Sequence, residues 1–117
     1  MITYNVTVKL NPSIEQKWKQ WMLEKHMPAI LATKCFDAYA LHKLIDHPDD
    51  EGITYVAQYF APDYDHYTNY IDQYAPGMRA EGLALFGDQF IAFRTVQDGL
   101  IHIDRYKSYL QIISSLE

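Results

Sequence analysis

Four polar side chains stand where a reaction or a ligand could use them: Asn5, His26, Gln58 and Arg94. His26 comes two residues before Pro28, at the end of an apolar helical stripe, so it reads as a residue near a helix C-terminus. An imidazole there can titrate near neutral pH and serve as a base or ligand contact. Its charge also complements the helix dipole, which is a sufficient structural reason for it. Asn5 shares the polar side of an alternating segment with Thr3 and Thr7. A carboxamide in that position hydrogen-bonds a ligand oxygen, or satisfies cross-strand and subunit contacts. Gln58 and Arg94 interrupt otherwise apolar segments. The planar guanidinium of Arg94 suits a carboxylate, which is either a ligand acid or one of Asp37, Glu81 and Asp88. Asn5 and His26 are therefore the catalytic candidates. Asn5, Gln58 and Arg94 are the polar ligand contacts, with Tyr39, Tyr55 and Tyr59 as aromatic walls.

Other reactive groups offer less. Cys35 is the single cysteine, so no intramolecular disulfide or cysteine-based zinc site can form. As a nucleophile it would need a neighbouring base, and no motif supplies one. His42 and His47 flank the acidic run 46–51, which a solvated loop explains and whose spacing matches no EF-hand. The chain contains no P-loop, GxGxxG, GxSxG or HExxH pattern, so neither a metal nor a cofactor is expected.

The elements that must position these groups follow from periodicity. Residues 2–10 alternate, with Ile2, Tyr4, Val6, Val8 and Leu10 on one face, as a half-covered strand requires. Ser13 with Gln16 makes a capping-box pattern and predicts a helix start. Ile14, Trp18, Trp21 and Met22 then form one stripe. Pro28 interrupts this helix near its end, or opens a short second one through Ala32. Residues 36–45 and 53–60 read as strands joined by the acidic loop into a hairpin. Pro62-Asp63 starts a helix that Pro76 stops or bends; residues 78–86 form a further helical piece closed by Gly87. Residues 89–96 read as a fourth strand.

The order is β-α-β-β-α-β, the ferredoxin-like α+β sandwich with an antiparallel sheet. Both helices cover one sheet face and the other stays open. The core domain is residues 1–97, and 98–117 read as a C-terminal extension. In it, residues 100–103 fit a short strand and Asp104 caps a final helix with an apolar stripe, packed on its own or a partner subunit.

The chain has 117 residues, 49% hydrophobic and 21% charged, which is the make-up of one packed domain. Its net charge of −5 argues against nucleic acid. No apolar run approaches the about 18 residues of a membrane span. The N-terminus lacks the pattern of a signal peptide, and the lone thiol fits a cytoplasmic setting. The ten tyrosines suit a wet cavity wall or a subunit interface, or else a core with hydroxyls at its surface.

The opening Met-Ile-Thr-Tyr-Asn-Val-Thr-Val, Trp18-Lys-Gln-Trp21-Met22 with His26-Met-Pro28, Tyr55-Val-Ala-Gln-Tyr-Phe60 and Phe86-Gly-Asp-Gln-Phe-Ile-Ala-Phe-Arg-Thr95 together resemble a bacterial domain-of-unknown-function family, number 4286. The topology is similar to the dimeric α+β barrel superfamily, in which two ferredoxin-like sheets pack face to face around a cavity in each subunit. That likeness implies a homodimer. It also implies small-molecule chemistry of the kinds the superfamily contains, such as cofactor-independent monooxygenation or isomerisation. Haem-degrading members use an asparagine on the first strand and a histidine on the second-half helix. Here residues 76–87 contain no histidine and His66 stands at the start of the second helix, which argues against haem.

Two readings result. In the first, a homodimeric α+β barrel binds a small aromatic or acidic molecule on the open sheet face. In the second, dimer contacts fill that face and the chain is a non-enzymatic interaction module.

Overall fold

The computed structural model describes residues 1–46, 48, 52–103 and 105. Its sheet has four strands: β1 (Ile2–Leu10), β2 (Ala38–Lys43), β3 (Ile53–Ala61) and β4 (Phe90–Asp98). They lie in the order β2-β3-β1-β4, and every neighbouring pair is antiparallel. This is the split β-α-β arrangement expected from the sequence. Among the described residues no helix is long and apolar enough to cross a membrane.

The first helical layer departs from expectation at its start, whereas at its end Pro28 stands in the first turn of a short helix through Ala32, one of the two readings of that proline. Asn11, not Ser13, begins it: the Asn11 carboxamide oxygen accepts from the Ser13 amide at 3.0 Å. Pro12, with its fixed φ, opens a short 3-10 turn at Pro12–Ile14. The Ser13 hydroxyl donates to Gln89 Oε1, just ahead of β4, at 3.4 Å, so no capping box forms. Helix α1 (Glu15–Trp21) then runs through a π turn, Met22–His26, into α2 (Met27–Ala32). Pro28 does not end the helix. A proline ring collides with the carbonyl four residues back, and the widened turn just before it, closed from the Met27 amide to the Met22 carbonyl, absorbs that collision. His26 is consequently inside a continuous helix rather than at its C-terminus.

Helix α3 (Tyr64–Gln73) starts where Pro62-Asp63 predicts, with the Asp63 carboxylate accepting from the His66 amide at 2.8 Å. It bends at Tyr74 into α4 (Ala75–Phe86), which Gly87 closes with a φ of 59°. Residues 100–103 form no strand; Leu100, Ile101 and Ile103 are exposed. The final helix read from Asp104 onward lies outside the described residues.

Tyr4, Val8 and Leu10 of β1 and Tyr55, Ala57 and Tyr59 of β3 are buried under the helices. Tyr4, Phe36, Tyr59 and Tyr70 form one aromatic cluster, with ring centroids 4.9 to 6.2 Å apart. Trp18 packs on Tyr55 at 5.0 Å. Rings at such separations add to the area they bury.

Candidate functional site

The register assigns each candidate side chain to a face. Asn5 pairs with Gln58 on β3 and Thr95 on β4; Val6 pairs with Ala57 and Arg94. Because side chains alternate along a strand, Asn5 and Gln58 lie on the uncovered face, whereas Arg94 lies with Val6 on the helix side. The four residues do not form one site.

On the helix side a cavity of about 60 Å³ opens between the sheet and helices α1 and α4. Its wall includes Trp21, His26, Tyr59, Tyr70, Arg79 and Arg94. The π turn places His26. Five residues along an ordinary α-helix turn a side chain about 140° away from its starting direction, whereas here His26 stacks on Trp21 with ring centroids 4.2 Å apart and planes at 23°. The Trp21 indole N–H in turn donates to Glu81 Oε1 on α4 at 3.4 Å. Gly82 is where α4 approaches this indole: a Cβ there would sit 3.4 Å from it.

The His26 ring carries a buried Nδ1 with no hydrogen-bond partner. Burial pushes its pKa down to about 4 and nearby Arg94 pushes the same way, while the Glu81 carboxylate works against both. The imidazole is therefore neutral at pH 7, and the helix-dipole explanation for it fails on charge as well as on position. Buried polar atoms are nearly always paired, and this nitrogen is an exception among the described residues.

Two guanidiniums complete the rim. Arg79 Nη2 donates to the Tyr4 hydroxyl oxygen at 3.2 Å, leaving the Tyr4 proton to donate elsewhere. Arg94 is exposed, and no carboxylate among the described residues forms a salt bridge with it. The intramolecular partner expected at Asp37, Glu81 or Asp88 is thus not found. Of the three tyrosines, only Tyr59 lines the cavity, its phenol held above the usual range by burial. Tyr55 donates to Glu15 at 2.8 Å beneath α1, and Tyr39 is half-buried 6.5 Å from Tyr59.

On the open face, Gln58 Nε2 donates to Asn5 Oδ1 at 3.0 Å, and Asn5 Nδ2 donates to Gln97 Oε1 at 2.7 Å. His66 is far from any of this, exposed and paired with its own cap Asp63 at 2.7 Å. Cys35 is buried under Asn69, whose amide lies 3.5 Å from the sulfur. Among the described residues no group of three His, Cys, Asp or Glu side chains converges.

Sequence reasoning missed Trp21, Tyr70 and Arg79 as site residues. Trp21 and Tyr70 sit in apolar stripes that core packing explains by itself. The one available signal was Arg79, a cation within an otherwise small and apolar helical start, Ala75-Pro-Gly-Met-Arg79-Ala.

No curated protein matches the chain in sequence. Solved structures match its fold. A dimeric ferredoxin-like protein from an uncultured marine organism superposes with a TM-score of 0.66 at 12% identity, covering 87% of this chain and 97% of its own. SnoaB, a cofactor-independent oxygenase from Streptomyces nogalater, gives 0.62 at 14% identity over 87% and 95%. The monooxygenase ActVA-Orf6 of Streptomyces coelicolor, in complex with nanaomycin D, gives 0.56 at 15% identity over 88% and 92%. These likenesses establish a ferredoxin-like α+β fold. The profile of the family described as a domain of unknown function, DUF4286, matches residues 1–99, and the chain belongs to that family.

Proposed function

We propose that the chain is a homodimeric small-molecule-binding protein of the α+β barrel type. Its ligand, a small acidic and aromatic molecule, enters the helix-side cavity rather than the open sheet face. The unpartnered Nδ1 of His26 carries this reading, since it is an unsatisfied polar atom on a ring that lines the cavity. Arg94 supplies a fixed charge at the rim, and Trp21, Tyr59 and Tyr70 supply flat apolar walls. A cavity of about 60 Å³ equals the liquid volume of about two waters, so it accommodates the polar head of a ligand whose remainder lies at the rim. Self-association is supported by the open sheet face, where Ile91 and Phe93 are 62% and 69% exposed, and by the dimeric neighbour of the same fold. The two functions attributed to one face by the sequence are then separated: ligand under the helices, partner on the sheet.

A base whose conjugate acid ionises near 4 is poorly matched to proton abstraction at neutral pH. Binding therefore leads over oxygenase or isomerase chemistry, even though one neighbour of this fold is a cofactor-independent oxygenase. The test is a titration of a panel of aromatic carboxylates and phenols followed by tryptophan fluorescence. A charged hydrogen bond of about 1.5–3 kcal/mol corresponds to a loss of about 10- to 150-fold in affinity on Arg94→Ala. Saturable binding that Arg94→Ala and His26→Phe leave unchanged would refute the assignment of the cavity. Oxygen uptake with a bound phenol would return the enzyme reading to first place, and a monomer by light scattering at micromolar concentration would remove the dimer.

A further inference from the structure

The open sheet face carries an unusual combination. Exposed Ile91 and Phe93 of β4, with the partly buried Val56 and Phe60 of β3, set large apolar side chains on it among Thr3, Thr7, Thr54 and Thr95. Through its middle runs a line of three carboxamides on three adjacent strands, Gln58–Asn5–Gln97, joined at 3.0 and 2.7 Å. Asn5, at the centre, is only 7% exposed before any partner arrives. Its two neighbours saturate one donor and one acceptor of its amide.

This line has a direction. Gln58 spends an N–H on Asn5 and keeps its carbonyl oxygen free; Gln97 spends its carbonyl oxygen and keeps its NH2 free. One end therefore accepts and the other donates. Turning all three amides over exchanges the ends but preserves the polarity. A two-fold axis lying in the face, passing through Asn5 and across the line, reverses it end to end. It sets the free NH2 of Gln97 toward the free oxygen of Gln58 on the second copy, twice over. An axis along the line instead sets like end against like end, with two acceptors or two donors buried together.

Resting on the homodimer proposed above, we infer that the Gln58–Asn5–Gln97 line is a register device: it selects the one two-fold packing of the open faces in which Gln58 of each chain meets Gln97 of the other. Apolar residues alone permit several sheet-on-sheet placements, since their attraction has no direction. A polar group buried among them specifies one, as a single buried asparagine does in coiled coils.

The experiment uses two differently tagged full-length chains, Gln58→Cys and Gln97→Cys, produced together and purified through both tags. A bifunctional thiol reagent spanning a few ångströms should join the mixed pair at several-fold higher yield than either variant alone, and the wild type, whose Cys35 is buried, should give no product. Circular dichroism checks that both variants are folded. As a second measurement, on a variant whose fold circular dichroism also checks, Asn5→Asp sets two carboxylates against each other at the axis, and dissociation should rise at least tenfold at pH 8. Efficient joining of Gln58→Cys to itself, or an unchanged Asn5→Asp dimer, overturns the register while leaving the dimer standing. A monomeric wild type by light scattering removes the dimer and the register together.

Discussion

Replacing His26 by phenylalanine keeps a flat ring against Trp21 and removes, among the described residues lining the helix-side cavity, the only group whose ordinary pKa lies near neutrality. In the folded chain the imidazole pKa is pushed down to about 4 from 6.5, chiefly by burial. Above pH 6.5 the ring is neutral whether folded or unfolded and has no effect on pH dependence. As the pH falls from 6.5 towards 4, the unfolded chain takes up a proton that the folded chain refuses, so stability declines across that window and levels off below it. At about 1.4 kcal/mol per pH unit, the full interval corresponds to on the order of 3 kcal/mol. Solvent reaches part of the ring, which reduces the measurable share to roughly 2 kcal/mol. Glu81 and Arg94, the charged groups facing His26, are present in both proteins, as are the other carboxylates. The wild type should therefore lose about 2 kcal/mol more than His26→Phe between pH 7.5 and 4.5 in urea unfolding. In parallel, the imidazole carbon-bound proton signals should titrate near pH 4 by NMR. Superimposable pH profiles, or a midpoint between 6 and 7, would refute the claim that the ring is held neutral by burial.

The Glu15 carboxylate is held below its usual range by the hydrogen bonds from Lys43, at 2.9 Å, and Tyr55, at 2.8 Å. Glu15→Gln should cost about 1 kcal/mol at pH 7. The difference should vanish on acidification, because stability present above the ordinary carboxylate pKa is lost as pH falls through the folded one. Absorbance titration at alkaline pH should show Tyr55 resisting ionisation up to about 12, with Tyr59 and Tyr70, both raised by burial, releasing protons only on unfolding; ten tyrosines titrating together near pH 10 would contradict the buried cluster. Trp18→Ala empties a site that is 2% exposed and should lower stability by about 3–5 kcal/mol in denaturant unfolding.

Much of the architecture was legible in single segments, because it is local. Strict alternation in residues 2–10 sets which side chains share a face, and the helix cap at Asp63 and the glycine at the end of α4 depend on nearest neighbours alone. The start of the first helix was misread where two local signals compete and Pro12 decides between them. The candidate site was legible only as a set of residue types. Which face of the sheet the helices cover is a property of the whole packing, so the sequence put Arg94 in company with Asn5 and Gln58 when the register sets it opposite. Likewise nothing within the first helix states that Pro28 will be absorbed by a π turn, and it is that turn which lays His26 on Trp21. Trp21, His26, Arg79 and Arg94 come from α1, the π turn, α4 and β4, and only the folded topology brings them round one cavity. Local patterning dictates the four strands, most of the helices and their order; tertiary packing settles which polar groups are left buried without partners, because desolvation is imposed by neighbours distant along the chain.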